Sequence, residues 1–133
     1  MLTQIEAARK GIVTPQMEAV AFDEQVATEY VRQMVSEGKI VIPWNFSRKP
    51  KPVGIGKGLR TKVNASIGTS SDIIDYGAEV SKARAAEEAG ADTLMELSVG
   101  GDLDRVRQEV IAAVDLPVGN VPLYQAFCEA ARK

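Results

Sequence analysis

Through the first 38 residues, apolar positions recur every three or four residues, and each run stops near a glycine, the pattern of short amphipathic helices. Thr3 to Lys10 predicts a helix with Ile5 and Ala8 on one face, ended by Gly11, where a left-handed residue costs least as glycine. Thr14-Pro15 supplies an N-cap and a first-turn proline for a second helix with Met17, Val20 and Ala21 inward. A third runs from about Val26 to Glu37 on Ala27, Tyr30, Val31 and Met34, and Gly38 closes it. Lys39 to Pro43 is β-branched and short, a strand that Pro43 keeps from extending.

After this the period changes. Leu59 to Ile67 predicts a strand; Asp72 caps a helix reaching Ala89 with Ile73, Tyr76, Val80 and Ala83 on its stripe, and Gly90 ends it. The same unit recurs as a strand over Asp92 to Leu97, a Gly100-Gly101-Asp102 turn and cap, and a helix from Leu103 to Val114 on Leu103, Val106, Val110 and Ala113. A third strand spans Leu116 to Val121 and a third helix Leu123 to Arg132. Strands alternating with single amphipathic helices are βα units, so the strands should be parallel and the crossovers right-handed.

The expected fold class is therefore α/β, in three parts: a helical segment over 1–38, a short strand and basic Gly/Pro-rich loop over 39–58, and three βα units over 59–133. Three units do not close a barrel. The alternatives are a small open sheet or the opening part of a (β/α)8 barrel. A last helix that still carries apolar Phe127 and Ala130, with no terminating motif at Arg132-Lys133, favours the barrel.

Composition narrows the chemistry. A chain of 133 residues with 45% hydrophobic and 26% charged residues fits one soluble globular domain. With no His, a Ser-His-Asp triad, a His-ligated zinc and an imidazole base are excluded. The single Cys, Cys128, excludes an intrachain disulfide and a Cys-held iron–sulfur cluster within this chain, and a lone thiol suits the reducing cytoplasm. The polar start MLTQIEAARKG does not read as a signal peptide, and no apolar run is long enough to span a bilayer. A net charge of −2 argues for neither nucleic acid nor membrane. Its distribution is uneven, because Arg48, Lys49, Lys51, Lys57, Arg60 and Lys62 lie together without an acid. A solvated loop is the commoner reading of such a run, with anion binding as the lesser one.

Gly54-Ile55-Gly56-Lys57-Gly58 looks like a phosphate loop but precedes a strand where the dinucleotide and P-loop fingerprints require a strand before and a helix after. A flexible or turn-forming loop is the better reading. The carboxyl ends of parallel strands are where α/β folds bind ligands. Here they hold Asn64, Ser66 and Gly68-Thr69-Ser70-Ser71, then Met95, Glu96 and Ser98, then Asn120 and Tyr124. Ser70, Ser71 and Asp72 are read first as helix-capping residues, and Met95 by itself as core packing. Glu96, acidic within an apolar strand, must face solvent, a partner or a site, since unpaired burial costs several kcal/mol or so.

The strings TQIEAARKGIVTPQM, IPWN, VGIGKGLRTKVNASIGTSSD, GADTLMELSVGGDL and LPVGNVPLYQA resemble, in order and spacing, the N-terminal part of the phosphomethylpyrimidine synthase and 5-hydroxybenzimidazole synthase family, over essentially all 133 residues. The resemblance implies a non-classical radical S-adenosylmethionine enzyme that rearranges aminoimidazole ribotide on a (β/α)8 barrel. It further implies a 4Fe-4S cluster on a C-terminal Cys-x-x-Cys-x-x-x-x-Cys site, a second metal ion on histidines, and a cytoplasmic homodimer with no nucleic-acid or membrane partner. Neither the cysteine motif nor the histidines occur here, so this chain alone is expected to hold no cofactor and to be inactive.

Carried over residue by residue, the substrate-contacting positions correspond to Ser66, Met95 and Tyr124, with Asn64, Glu96 and Ser98 as further candidates. Met95 and Tyr124 are the family's residue types, which overrides core packing for Met95. Ser66 stands where the pyrimidine synthases have Asn in N-A-N-I-G, and Glu96 replaces the Asp of M-D-L-S. Exchanging an amide for a shorter hydroxyl changes how a ligand is held, which leans toward the paralogue that makes a lower-ligand precursor of cobamides. The pyrimidine synthase of thiamine biosynthesis is the alternative. A third reading is an independent module that binds an anion or partner through Ser47 to Lys62 without catalysis.

Overall fold

The computed structural model describes residues 2–131, so the expected helix end at Arg132 lies outside the described residues. They divide into two compact units, one ending at Lys62 and the other beginning at Val63.

The first unit holds three helices, α1 (Gln4–Arg9), α2 (Pro15–Asp23) and α3 (Thr28–Ser36), and a two-stranded ribbon of β1 (Ile40–Val41) and β2 (Ile55–Gly56). Thr3 and Glu6 form a reciprocal capping box on α1, and the Thr14 hydroxyl accepts from the Met17 N–H at the start of α2. Met17, Val20 and Ala21 are buried as the spacing predicts. In α3 the inward residues are Val31, Met34 and Val35, while Ala27 is the exposed N-cap and does not belong to the stripe. The glycine loop is corrected: Ile55 and Gly56 pair antiparallel with Val41 and Ile40. A Cβ on Gly56 would lie 2.1 Å from the Lys39 carbonyl oxygen at φ +147°, so close strand approach demands this glycine.

The second unit contains β3 (Asn64–Ile67), α4 (Tyr76–Glu88), β4 (Thr93–Glu96), α5 (Leu103–Ala113), β5 (Val118–Asn120) and α6 (Pro122–Ala131). The strands are parallel in the order β3-β4-β5, as the βα reading predicts. Ile67, Ala83, Leu94, Val106, Val110, Val114 and Leu116 close the core between the sheet and the helices. Asp102 caps α5 by accepting from the Arg105 N–H. Two expectations shift. Asp75, not Asp72, caps α4, because the Ser70 hydroxyl accepts from Asp72 N and Ile73 N and closes a turn there, leaving Ile73 72% exposed.

The strand expected from Leu59 begins only at Asn64. Leu59 packs into the first unit's core, while the Arg60 N–H donates to Glu24 and the Lys62 ammonium pairs with the Glu24 carboxylate at 2.6 Å. Two cations of the basic run are thus bound to acid rather than free for a ligand. Burial pushes the Glu24 carboxyl up, but contact with Lys62, the Arg60 N–H and both positive charges outweigh it and hold the group below the ordinary carboxylate value. The unfolded chain then binds this proton first as pH falls. The pair's stabilisation is complete above the ordinary carboxylate range and lost as pH drops through the lowered native value. Glu24→Gln should remove that acid-dependent component and, by leaving the Lys62 charge buried, cost about 3 kcal/mol at neutral pH. Urea midpoints across a pH series check both, and an unchanged neutral midpoint rejects the pairing.

Candidate functional site

Alternation along the strands divides the second unit's polar residues between two faces of the sheet. On the face away from the core, Ser66 is in register with Met95 and Met95 with Gly119, so the three form a row across β3, β4 and β5. A Cβ on Gly119 would stand 2.7 Å from the Met95 sulfur. The thioether therefore lies across the glycine, filling space that any other residue would take. Asn64 shares this face but sits at the amino end of the shortened β3, where its side-chain oxygen accepts from the Thr93 hydroxyl at 2.8 Å.

The helix-facing side is apolar through Ile67 and Leu94 and then becomes polar. Glu96 is 2% exposed; its Oε1 accepts from the Ser98 N–H at 2.8 Å, and its Oε2 faces the Arg107 guanidinium of α5 at 3.8 Å. The Ser98 hydroxyl accepts from the Thr69 N–H at 2.9 Å, and the Thr69 hydroxyl donates to the Gly100 carbonyl at 2.7 Å. Glu79, buried on α4, accepts from the Gly68 N–H at 2.7 Å. The two carboxylates and both hydroxyls thus take up backbone groups left where the ladder ends, while Arg107 Nε is buried without a hydrogen bond.

Tyr124, 43% exposed in the first turn of α6, lines a hollow of about 530 Å³ with Ser71, Val99, Leu123, Phe127 and Cys128. Ser71 follows β3 and Val99 follows β4, so the hollow belongs to the carboxyl end of the sheet. The Cys128 thiol donates to the Val99 carbonyl at 3.3 Å. Among the described residues no cluster of His, Cys, Asp and Glu is arranged to hold a metal ion.

Of the six residues named from sequence, Ser66 and Met95 are brought side by side, Tyr124 stands in the carboxyl-end hollow, and Asn64 lies one pleat toward the amino end. Glu96 and Ser98 are turned to the helices, opposite Ser66 and Met95, because they fall on the inward phase of Leu94. Thr69 was named only as part of the loop after the first strand, and Glu79 and Arg107 were not among the sequence candidates. A signal existed for two of them, since Glu79 falls on the Tyr76–Ala83 stripe and Arg107 sits between Val106 and Val110, both inward positions for charged residues.

The chain matches the family described as Radical SAM ThiC over residues 3–133. It is 82% identical across 133 residues to a protein of Geobacter sulfurreducens named 5-hydroxybenzimidazole synthase, and 83% identical to the protein of that name from Geobacter metallireducens. A protein of Methanosarcina barkeri named phosphomethylpyrimidine synthase 1 is 59% identical over 132 residues. In each case essentially the whole chain is covered, and it spans 31% of the relative's length. With nearly its full length matched, and a parallel sheet carrying the residues of that resemblance, this chain belongs to the Radical SAM ThiC family.

Proposed function

We propose that this segment forms the first three βα units of a (β/α)8 barrel and one wall of the substrate site in a cytoplasmic radical S-adenosylmethionine synthase acting on aminoimidazole ribotide. The observation that carries the reading is the Ser66–Met95–Gly119 row on the open face of three parallel strands, with Tyr124 at their carboxyl end. In a barrel that face turns inward, toward a ligand bound at the carboxyl mouth. The favoured product is 5-hydroxybenzimidazole, in keeping with the much higher identity to relatives of that name. A phosphomethylpyrimidine product is the second reading, since that name also occurs among relatives matched over 99% of the chain.

In this role Ser66 offers one short hydroxyl and Met95 a soft, adaptable surface, while Tyr124 presents an aromatic face and a phenol. The cluster does not fit the donors present. One thiol, already hydrogen-bonded in an apolar hollow, cannot supply the several thiolates a 4Fe-4S site requires. The cluster, S-adenosylmethionine and any second metal are assigned to the remainder of a full-length, homodimeric enzyme.

Ser66→Asn and Tyr124→Phe in the full-length protein test the site. Ser66→Asn should change product identity or yield, because it alters hydrogen bonding on an exposed strand position where little packing is at stake. Tyr124→Phe should lower turnover about tenfold while the melting temperature moves by no more than about 2 °C. Product profiles and melting curves beside wild type decide it; unchanged products and rates in both variants reject the site.

A further inference from the structure

Glu96 joins two groups of residues that the strand sequence keeps apart. Through the Ser98 N–H it fixes the chain leaving β4, which aims the Ser98 hydroxyl at the Thr69 N–H, and Thr69 in turn clasps the Gly100 carbonyl. The backbones of these two loops are also bonded, Leu97 N–H to Ile67 and Val99 N–H to Thr69. Gly68 and Gly100 permit this closeness. A Cβ on the first would lie 2.7 Å from the Leu97 carbonyl carbon and the Ser98 nitrogen, and one on the second 2.0 Å from the Ser70 carbonyl oxygen.

The second connection runs the other way. Arg107, facing Glu96, donates to the side chain of Gln125 at 2.8 Å, and Gln125 is the residue after Tyr124. One buried carboxylate thus reaches the Ser66–Gly68–Ser71 limb on one side and the helix turn bearing Tyr124 on the other. The core needs no charge in this place, since Ile67 beside Glu96 and Leu94 below it are apolar.

We propose that Glu96 is a positioning residue that holds the two sides of the substrate site in a fixed relation, acting through Ser98 on the loop after β3 and through Arg107 and Gln125 on Tyr124. It touches no substrate itself, being on the opposite face from Ser66 and Met95. The inference rests on the substrate reading above. It adds that the Glu96 carboxylate, silent in a list of contacts, sets ligand affinity.

The test measures aminoimidazole ribotide affinity by calorimetry in the full-length protein, with melting temperature recorded alongside. Glu96→Gln should weaken binding about tenfold and Ser98→Ala by a comparable factor, the scale found when supporting hydrogen bonds around a site are removed. Because the two act in series, Glu96→Gln with Ser98→Ala should bind no more weakly than Glu96→Gln alone. Glu96→Asp, which keeps the charge and can accept from the N–H two residues on, should recover part of the loss. Should Glu96→Gln fail to fold, Ser98→Ala and the surface-accessible Gln125→Ala carry the measurement. Wild-type affinity in the folded variants, with only a lower melting temperature, makes Glu96 structural and overturns the proposal while leaving the substrate reading intact. Failure of the wild-type protein to bind the ribotide overturns that reading and this inference with it.

Discussion

Anaerobic reconstitution of the 133-residue chain with iron and sulfide is expected to yield no cluster absorbance and no cleavage of S-adenosylmethionine, while the proposed function predicts both for the full-length protein. The expected difference is complete rather than graded. A 4Fe-4S cluster is anchored by several thiolates, and the chain has one cysteine and no histidine to stand in. That cysteine is moreover on α6 in an apolar hollow, with its thiol turned to the Val99 carbonyl. Absorbance together with deoxyadenosine release from the chain alone would falsify the assignment of cofactor binding to the remainder of the protein.

The second large effect is on stability. Gly100→Ala should destabilise the second unit by about 3 kcal/mol or more, lowering its melting temperature by roughly 10 °C. The added Cβ would meet the Ser70 carbonyl oxygen at 2.0 Å and its carbon at 2.8 Å, both backbone atoms that cannot rotate away. Relief requires the loops after β3 and β4 to separate. That breaks the Thr69 hydroxyl's bond to the Gly100 carbonyl and the Val99 N–H bond to Thr69, leaving buried polar groups unpaired. Gly119→Ala is the control, because its Cβ would meet only the flexible end of Met95 at 2.7 Å. It should cost less than about 1 kcal/mol, yet displace Met95 and weaken ribotide binding in the full-length protein. Thermal melts of both variants compare backbone with side-chain crowding. Equal melting temperatures would mean that the two loops are not locked together as the hydrogen bonds indicate.

The helical caps show how far local chemistry reaches. Thr14 before Pro15 and Asp102 before Leu103 each accept an N–H three residues on, so their roles were read directly, whereas the Thr3–Glu6 capping box was not among the expectations. The cap expected at Asp72 falls instead on Asp75, three residues on and directly before the Tyr76–Ala83 stripe. The turn closed by Ser70 decided between them. Periodicity also placed the three parallel strands and the inward residues of α5, since the side facing away from water repeats with the element's own geometry.

The alternation of strands and helices, the caps of α2 and α5 and the family were legible in the chain alone. So was a count of one cysteine and no histidine, which bounds the metal ligands this chain can offer. The start of the strand after the basic loop depends on long-range contacts, because Leu59, Arg60 and Lys62 are claimed by Val20's core and by Glu24 from far back in the chain. Strand alternation already turns Glu96 away from Met95, but folding is what brings Glu96 against Arg107 and the Ser98 hydroxyl against the Thr69 N–H. Hydrophobic period is a property of neighbouring residues and survives in the sequence as a pattern. A buried charge or hydroxyl is stable only beside its partners, and beyond the Ser98 N–H next to Glu96 these lie 11 to 36 residues away, a distance that no local pattern records.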